Sequence, residues 1–380
     1  MGVGVNIKNK KTKVTQVFRY AYPHIGGIET VMNQINSCLP NEEFEKEVLC
    51  CSNTDKSSVE NGVKYTRAKY LFEFASNNIS PQLIWNLSRV KTDILHMHMP
   101  FIFGMIAFFI ARPKYKKLYV SYHSDIIGFD KYMKYLWWLY RIFLRKADKI
   151  HVLSPNIIHN SQMLEEFADK CVVVPQGISL AYTVDNDKVN EIRGKYKNKK
   201  ILFSLGRHVK YKGFIYGLEA MKKVDNAVWL LAGSGPLTES FKQYIEENNL
   251  QEKVILLGRL ADEELDNYYE VCDIYLLPSA TKVEAFGIVQ IEAMRHSKPV
   301  INTWLNNGVN YVSLDKETGL TVEPENVEQL TNAINELINN DELRLQYGRN
   351  ARKRVEDLFD VEKVKEQYKN FYKSGVENVR

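Results

Sequence analysis

The chain has 380 residues, 45% of them hydrophobic and 26% charged, an ordinary globular balance and more chain than one core can hold, so two domains are expected. Its net charge of +5 is uneven: residues 1–180 hold 23 Lys+Arg against 15 Asp+Glu, and residues 181–380 hold 28 against 31. A basic surface therefore belongs to the first half alone, and zinc-finger, KH and RNP-type signatures, which would direct it to nucleic acid, are absent.

No apolar signal segment follows Met1, which argues against secretion. The longest apolar run, FIFGMIAFFIA at 101–111, is shorter than the roughly 20 residues that span a bilayer. Cys38, Cys50, Cys51, Cys171 and Cys272 show no metal-ligand spacing and read as reduced thiols of a cytosolic protein.

In chain order, KVTQVFRY (13–20) predicts a strand and GGIETVMNQINSCL (26–39) a loop running into a helix. FEKEVLCCS (44–52), DILHMHMP (93–100), KLYVSYHS (117–124) and KIHVLSP (149–155) predict further strands. Strands interleaved with helices imply a mainly parallel sheet. VVVPQGISL (172–180) carries a Pro-x-Gly turn, and then the pattern restarts. A solvated helix at 188–198 precedes five buried strands: KILFSLGR (200–207), AVWLLAGSG (227–235), KVILLGRL (253–260), CDIYLLPS (272–279) and KPVINT (298–303). The end of the chain is helical. The expected domains are 1–180, 181–355, and a C-terminal helix at 356–380 that returns to the first domain.

In parallel sheets, ligands bind beyond the carboxyl ends of the strands. Four loops of the second half occupy such places. GRHVKYKG carries Arg207 and Lys212. LAGSGP carries Gly233 and Gly235, and LGRL carries Gly258 and Arg259. PSATKVEAFG runs into a helix bearing Glu292. A helix that starts near Gly287 has free N–H groups at Gly287, Ile288 and Val289, an anion site to which a glycine gives close access. Glu292 lies about 7.5 Å further along the axis, at about 1.5 Å per residue, a plausible reach from a diphosphate to the two hydroxyls of a ribose. Glu284 sits on the other side of the phosphate. Arg207 and Lys212 supply cations to neutralise a departing diphosphate. The rival reading, in which Glu284 and Glu292 are the acid and nucleophile of a glycosidase, leaves the helix N-terminus and both cations without a task.

These motifs, SLGRHVKYKG, LLAGSGP, LLGRL and EAFGIVQIEAM, resemble in order and spacing those of the retaining glycosyltransferases of family 4. The GGIE and SYHSD segments match as well, and the resemblance covers nearly the whole chain. It implies the GT-B fold, an α/β architecture of two Rossmann-like domains facing across a cleft. It further implies diphosphate contacts from Arg207 and Lys212, a ribose contact from Glu292 and a donor-sugar contact from Glu284. A base pocket is implied near Gly235, Arg259 and Leu260, with Gly233 and Phe286 counted among the donor-binding positions. The stretch NTWLNNGVNYVSLDKETGLTV (302–322) resembles bacterial O-antigen mannosyltransferases that use GDP-mannose.

In the first half, Gly26 and Gly27 allow close backbone approach to a ligand, with Glu29 opening the helix behind them and His24 a weaker candidate. His123 ends a predicted strand, and the resemblance implies that it meets the donor sugar. His96 and His98 alternate along one strand and share a face. The Asp-x-Asp sequence at 185–187 has no strand ahead of it and reads as loop. With Arg207 and Lys212 supplying positive charge, no metal or other cofactor is expected, the nucleotide-sugar being a substrate.

Residues 129–149 place Lys131, Lys134, Trp138, Arg141, Arg145 and Lys149 along one helical stripe, with Tyr132, Leu136, Leu139, Tyr140 and Phe143 turned to the core. A basic stripe with a central Trp suits an anionic membrane surface. The expectation is a cytoplasmic enzyme on the inner face of the cell membrane. It transfers a hexose from a nucleotide-sugar, GDP-mannose or a UDP-sugar, to a lipid-linked saccharide of the bacterial surface, with retention. A sugar-nucleotide epimerase of the same fold and a non-catalytic sugar-nucleotide-binding subunit are the alternatives.

Overall fold

The computed structural model describes residues 11–24, 26–53, 57–74, 77–125 and 130–374, with the side chains of 130–135 outside the description. It resolves into two Rossmann-like α/β units. One holds the chain up to Leu153, Ser161–Gln176 and the residues from Val364 on; the other holds Ser154–Asn160 and Gly177–Lys363.

The first unit contains β1 (Thr12–Val17), β2 (Phe44–Ser52), β3 (Ser58–Glu60), β4 (Val63–Lys69), β5 (Phe72–Phe74), β6 (Asn77–Ile79), β7 (Lys91–Met99), β8 (Lys114–Tyr122), β9 (Lys149–Val152) and β10 (Cys171–Val173). β5 and β6 form a separate antiparallel hairpin, and the rest form one sheet in the order β10-β9-β8-β7-β1-β2-β4-β3. Every pairing in that sheet is parallel except β3 with β4. The second unit contains β11 (Lys200–Leu205), β12 (Ala227–Ala232), β13 (Val254–Gly258), β14 (Ile274–Leu277), β15 (Val300–Thr303) and β16 (Gly319–Val322). They form an all-parallel sheet in the order β13-β12-β11-β14-β15-β16. β12, AVWLLA, is buried at every residue, as expected of a strand covered on both faces. The direction of winding reverses between β11 and β14, which puts a crevice at their carboxyl ends.

The strands expected from the long apolar runs are all present. β3, β4, β5, β6, β10 and β16 lie outside those expectations, being short or lacking a continuous apolar run; β10 falls in the connection that carries the Pro-x-Gly turn. The domain boundary also differs from the single passage expected near residue 180. The helix Pro155–Asn160 belongs to the second unit, where the Asn160 amide donates to the Asn306 carbonyl at 2.7 Å. Residues 355–359 also stay in that unit, with Phe359 buried against Phe286 and Tyr311. The last helix starts at Val361 rather than 356. From it, Tyr368 and Tyr372 are fully buried in the first unit, with Tyr372 OH 2.5 Å from His96 Nδ1 and Tyr368 OH 3.3 Å from His151 Nε2.

Candidate functional site

The loops that follow β11 and β14 are drawn together by backbone. Gly213 has φ +66°, and a Cβ there would lie 1.9 Å from the Pro278 carbonyl oxygen. Ala280 N donates to the Tyr211 carbonyl at 2.7 Å. Only a glycine at 213 permits this approach, and its consequence is chemical. Lys212 Nζ stands 2.5 Å from Glu284 Oε2, with both side chains about nine-tenths buried. Ser279 Oγ donates to the same oxygen at 3.3 Å, and Asn307 Nδ2 holds the Glu284 backbone carbonyl at 2.8 Å. A carboxylate and an ammonium this buried need each other, because a lone charge there is costly. Lys212 keeps two further ammonium protons for another acceptor.

Immediately beyond, Gly287 adopts φ 71°, ψ 60° and caps the helix Ile288–Arg295. The predicted start is thus met to the residue, and the N–H groups of Gly287–Val289 precede the first intrahelical bonds. Glu292, on that helix, accepts a 2.6 Å hydrogen bond at Oε2 from Tyr269 OH. Burial pushes the Glu292 carboxyl above its ordinary value, opposed by the Tyr269 hydrogen bond and by Arg295. Tyr269 carries no sequence signal, since it meets Glu292 only through the fold. Ser279 and Asn307 lay inside quoted motifs, but nothing local marked them.

The loops after β11, β12 and β13 also join, through Gly206 N to Ala232 O at 3.1 Å and Gly233 N to Gly258 O at 2.7 Å. Gly235 approaches so closely that a Cβ on it would meet the His208 carbonyl oxygen at 2.5 Å. Arg207 and Arg259 are exposed, Leu260 half-buried, and among the described residues neither arginine is in an ion pair. The Phe286 ring is buried against Phe359; it serves the core, and only the backbone of that turn is left for a ligand. All these positions, from Arg207 to Glu292, lie in the second unit. Cations, free N–H groups and a carboxylate in this order can neutralise a diphosphate and bind a neighbouring diol. Asp185, of the Asp-x-Asp sequence, instead caps the helix Asn186–Lys195, accepting from the N–H groups of Asp187 and Lys188. Among the described residues no group of three His, Cys, Asp or Glu side chains is placed to hold a metal.

Gly26, Gly27 and His123 lie in the first unit. Gly26 caps the helix Gly27–Cys38, and Glu29, buried in its first turn, stands 3.2 Å from His24 Nδ1. His123 closes a hydrogen-bonded chain. Its Nε2 lies 3.0 Å from His98 Nδ1, His98 Nε2 lies 2.8 Å from Gln16 Oε1, and Gln16 Nε2 donates to Asn36 Oδ1 at 2.6 Å. His96 stacks on His98 at 4.6 Å and reaches His151 through Ser121. Burial lowers all four histidines: His96 and His98 well below the usual range, His123 to about 3 and His151 to about 4. The histidines are therefore neutral at pH 7, and the shared face expected of His96 and His98 is a buried one.

The basic stripe is only partly free. Trp138 is 60% exposed, while Tyr140 and Phe143 are buried as expected. Arg141 and Arg145, however, both pair with Glu166, at 2.9 and 2.6 Å. Lys149 has left the helix for β9 and donates to the Phe371 carbonyl at 2.8 Å. The side chains of Lys131, Tyr132 and Lys134 lie outside the described residues. No described helix is long and apolar enough to cross a membrane.

Two family models match the chain, glycosyltransferase family 4 over residues 25–182 and glycosyl transferases group 1 over residues 185–354. The O-antigen chain mannosyltransferase C of Escherichia coli is 31% identical over 96% of this chain and 99% of its own. The D-rhamnosyltransferase WbpZ of Pseudomonas aeruginosa is 28% identical over 90% of each. Among solved structures, sucrose-phosphate synthase from Thermosynechococcus elongatus superposes with a TM-score of 0.76 at 20% identity, covering 96% of this chain and 99% of its own.

Proposed function

The chain belongs to glycosyltransferase family 4 and is a hexosyltransferase of the GT-B fold, and from that premise we propose that it transfers a hexose, with retention, from a nucleotide-sugar to a lipid-linked saccharide of a bacterial surface polysaccharide. The carrying observation is the Lys212–Glu284 pair beside the Gly287-capped helix. In this reading the diphosphate lies on the N–H groups of Gly287–Val289, with Arg207 and Lys212 taking up the charge that grows as the glycosidic bond breaks. Glu292 holds the ribose through the oxygen that Tyr269 leaves free. Glu284, paired with Lys212, turns to the donor sugar in this reading, the role that the family resemblance also gives to His123. The leaving diphosphate takes the acceptor proton, so no side chain need serve as base. The likeness to the Escherichia coli O-antigen mannosyltransferase supports, in this reading, a GDP-mannose-type donor over a UDP-sugar and a site of action at the inner face of the membrane. No metal is assigned a role.

The test pairs a thermal-shift screen of nucleotide-sugars with product analysis. A donor at 100 times its Kd should stabilise by about 2.7 kcal/mol. The reading predicts nucleoside diphosphate release that requires acceptor, activity indifferent to EDTA, and a product with the anomeric configuration of the donor. An inverted product, or turnover of the sugar-nucleotide without acceptor, would overturn it.

A further inference from the structure

The hairpin β5–β6 of the first unit wears its polarity inside out. It pairs Phe72 with Ile79, Glu73 with Asn78 and Phe74 with Asn77. Side chains alternate along a strand, so Glu73 and Asn78 share one face, and Phe72, Phe74, Asn77 and Ile79 share the other. Asn78 is fully buried, and Glu73 accepts from Tyr20 OH at 3.2 Å. The face with the carboxylate is thus the one held to the protein. Leu71, Phe72 and Phe74 are each more than half exposed. A hairpin that faced water would carry its apolar side chains inward and its charge outward.

The apolar surface continues on the helix Ile102–Ala111. Asn77 Oδ1, on the phenylalanine face, accepts from Phe103 N at 3.1 Å, which sets the hairpin against the start of that helix. Its sequence, IFGMIAFFIA, has no polar side chain. Gly104, Met105, Ala107 and Phe108 are buried, whereas Ile102, Ile106, Phe109 and Ile110, at helical spacing, are not. A helix apolar all round is ordinarily covered on every side, and a sizeable exposed apolar patch marks a docking surface. On the helix Pro81–Ser88, which packs beside it, Trp85 is exposed with the Arg89 guanidinium 3.6 Å from its ring centroid.

Charge selects the partner. From Phe74 to Ser124 the chain has six Lys+Arg and a single acid, Asp93, which Lys116 neutralises at 2.9 Å. Lys69 precedes the hairpin, and Arg112 and Lys114 follow the helix; among the described residues none of these three is in an ion pair. Apolar side chains rimmed by cations suit the interface of an anionic bilayer. They suit a second copy of the chain poorly, because like charges would meet across the contact.

We propose that this face docks on an anionic phospholipid bilayer. Leu71, Phe72, Phe74 and Ile110 enter the boundary between headgroups and acyl chains, and Lys69, Arg89 and Arg112 meet lipid phosphates. The proposal deepens the reading of a lipid-linked acceptor, on which it rests, by naming the surface that brings the enzyme to it.

Sedimentation with vesicles of phosphatidylglycerol and phosphatidylcholine, without donor or acceptor, tests it. The wild type should bind. Phe72→Ser combined with Phe74→Ser should weaken binding about tenfold or more, with melting temperature and donor affinity unchanged. A polarity-sensitive dye attached at Phe74→Cys should shift its emission to the blue when vesicles are added, as it leaves water. No binding by the wild type, binding that the double variant retains in full, or a dye that stays in water overturns the proposal. So does a dimer, in place of vesicle binding, that the double variant dissociates, since the face would then serve self-association. Consumption of a nucleotide-sugar without vesicle binding sinks the docking face alone. Vesicle binding without consumption of any nucleotide-sugar sinks the transfer reading and leaves the docking face standing.

Discussion

Glu284 and Glu292 are two carboxylates eight residues apart, and their surroundings give them different tasks. Glu284 is held by the Lys212 ammonium, whereas Glu292 meets a neutral phenol and is pushed towards its protonated form by burial. Lys212→Ala should lower kcat by about 10²–10³-fold, typical of losing one donor to developing charge. It should also destabilise the protein, by up to about 3–5 kcal/mol, because Glu284 is left buried and unpaired. Adding Glu284→Gln should recover much of the melting temperature and none of the activity. Full recovery of activity would show the pair to be structural only. For Glu292 the pH dependence has a definite sign. The folded state binds its proton more tightly than the unfolded chain, whose ordinary value is 4.5. The resulting stabilisation is complete below that value and is lost as pH rises through the folded value. Glu292→Gln should therefore raise the melting temperature at pH 7, have little effect near pH 4, and weaken donor binding. An unchanged donor Kd would contradict the ribose assignment.

The helix Asp130–Lys146 shows how an element can look more basic in sequence than it is in place. Glu166 lies 25 and 21 residues from Arg141 and Arg145, yet it neutralises both. The exposed Trp138 and the unopposed charge of the first half still support a membrane-facing role. Reversing Lys134, Arg141 and Arg145 to Glu should abolish sedimentation with anionic vesicles, since each basic residue near such a surface contributes about 1 kcal/mol. Glu166→Gln should do the reverse, freeing two guanidinium groups and strengthening binding at low salt. If neither change alters sedimentation, the stripe is an ordinary solvated face. Donor affinity should be the same in all of these variants, because the donor loops belong to the other unit. Periodicity revealed the helix and its buried side at Tyr140 and Phe143, but the pairing with Glu166 depends on a turn packed beneath it.

At the scale of the whole chain, the two units should respond differently to acid. His96, His98, His123 and His151 are buried and neutral in the first unit. Their folded values lie below the ordinary 6.5, so the stability they confer is present above that pH and is lost as pH falls towards 3–4. The loss is up to about 1.4 kcal/mol per pH unit for each histidine. Brief proteolysis between pH 7.5 and 5 should cut the first unit while β11–β15 stay protected; simultaneous loss of both would refute this. Tyr372→Phe, which removes the partner of His96 Nδ1, should bring the first cuts at a higher pH. The sequence by itself determined the βαβ plan, the reuse of one architecture in two halves, and the loops that carry Arg207, Lys212, Gly287 and Glu292. Those features are local: a buried parallel strand is a continuous apolar run, and a helix N-terminus is marked by the glycine before it. Only the tertiary structure decided that Lys212 meets Glu284, that Tyr269 holds Glu292, that four histidines share one core, and that the last helix belongs with the first unit. Each of these joins residues from 23 to more than 270 positions apart, and such contacts depend on how sheets and helices close on one another, which no short-range pattern encodes.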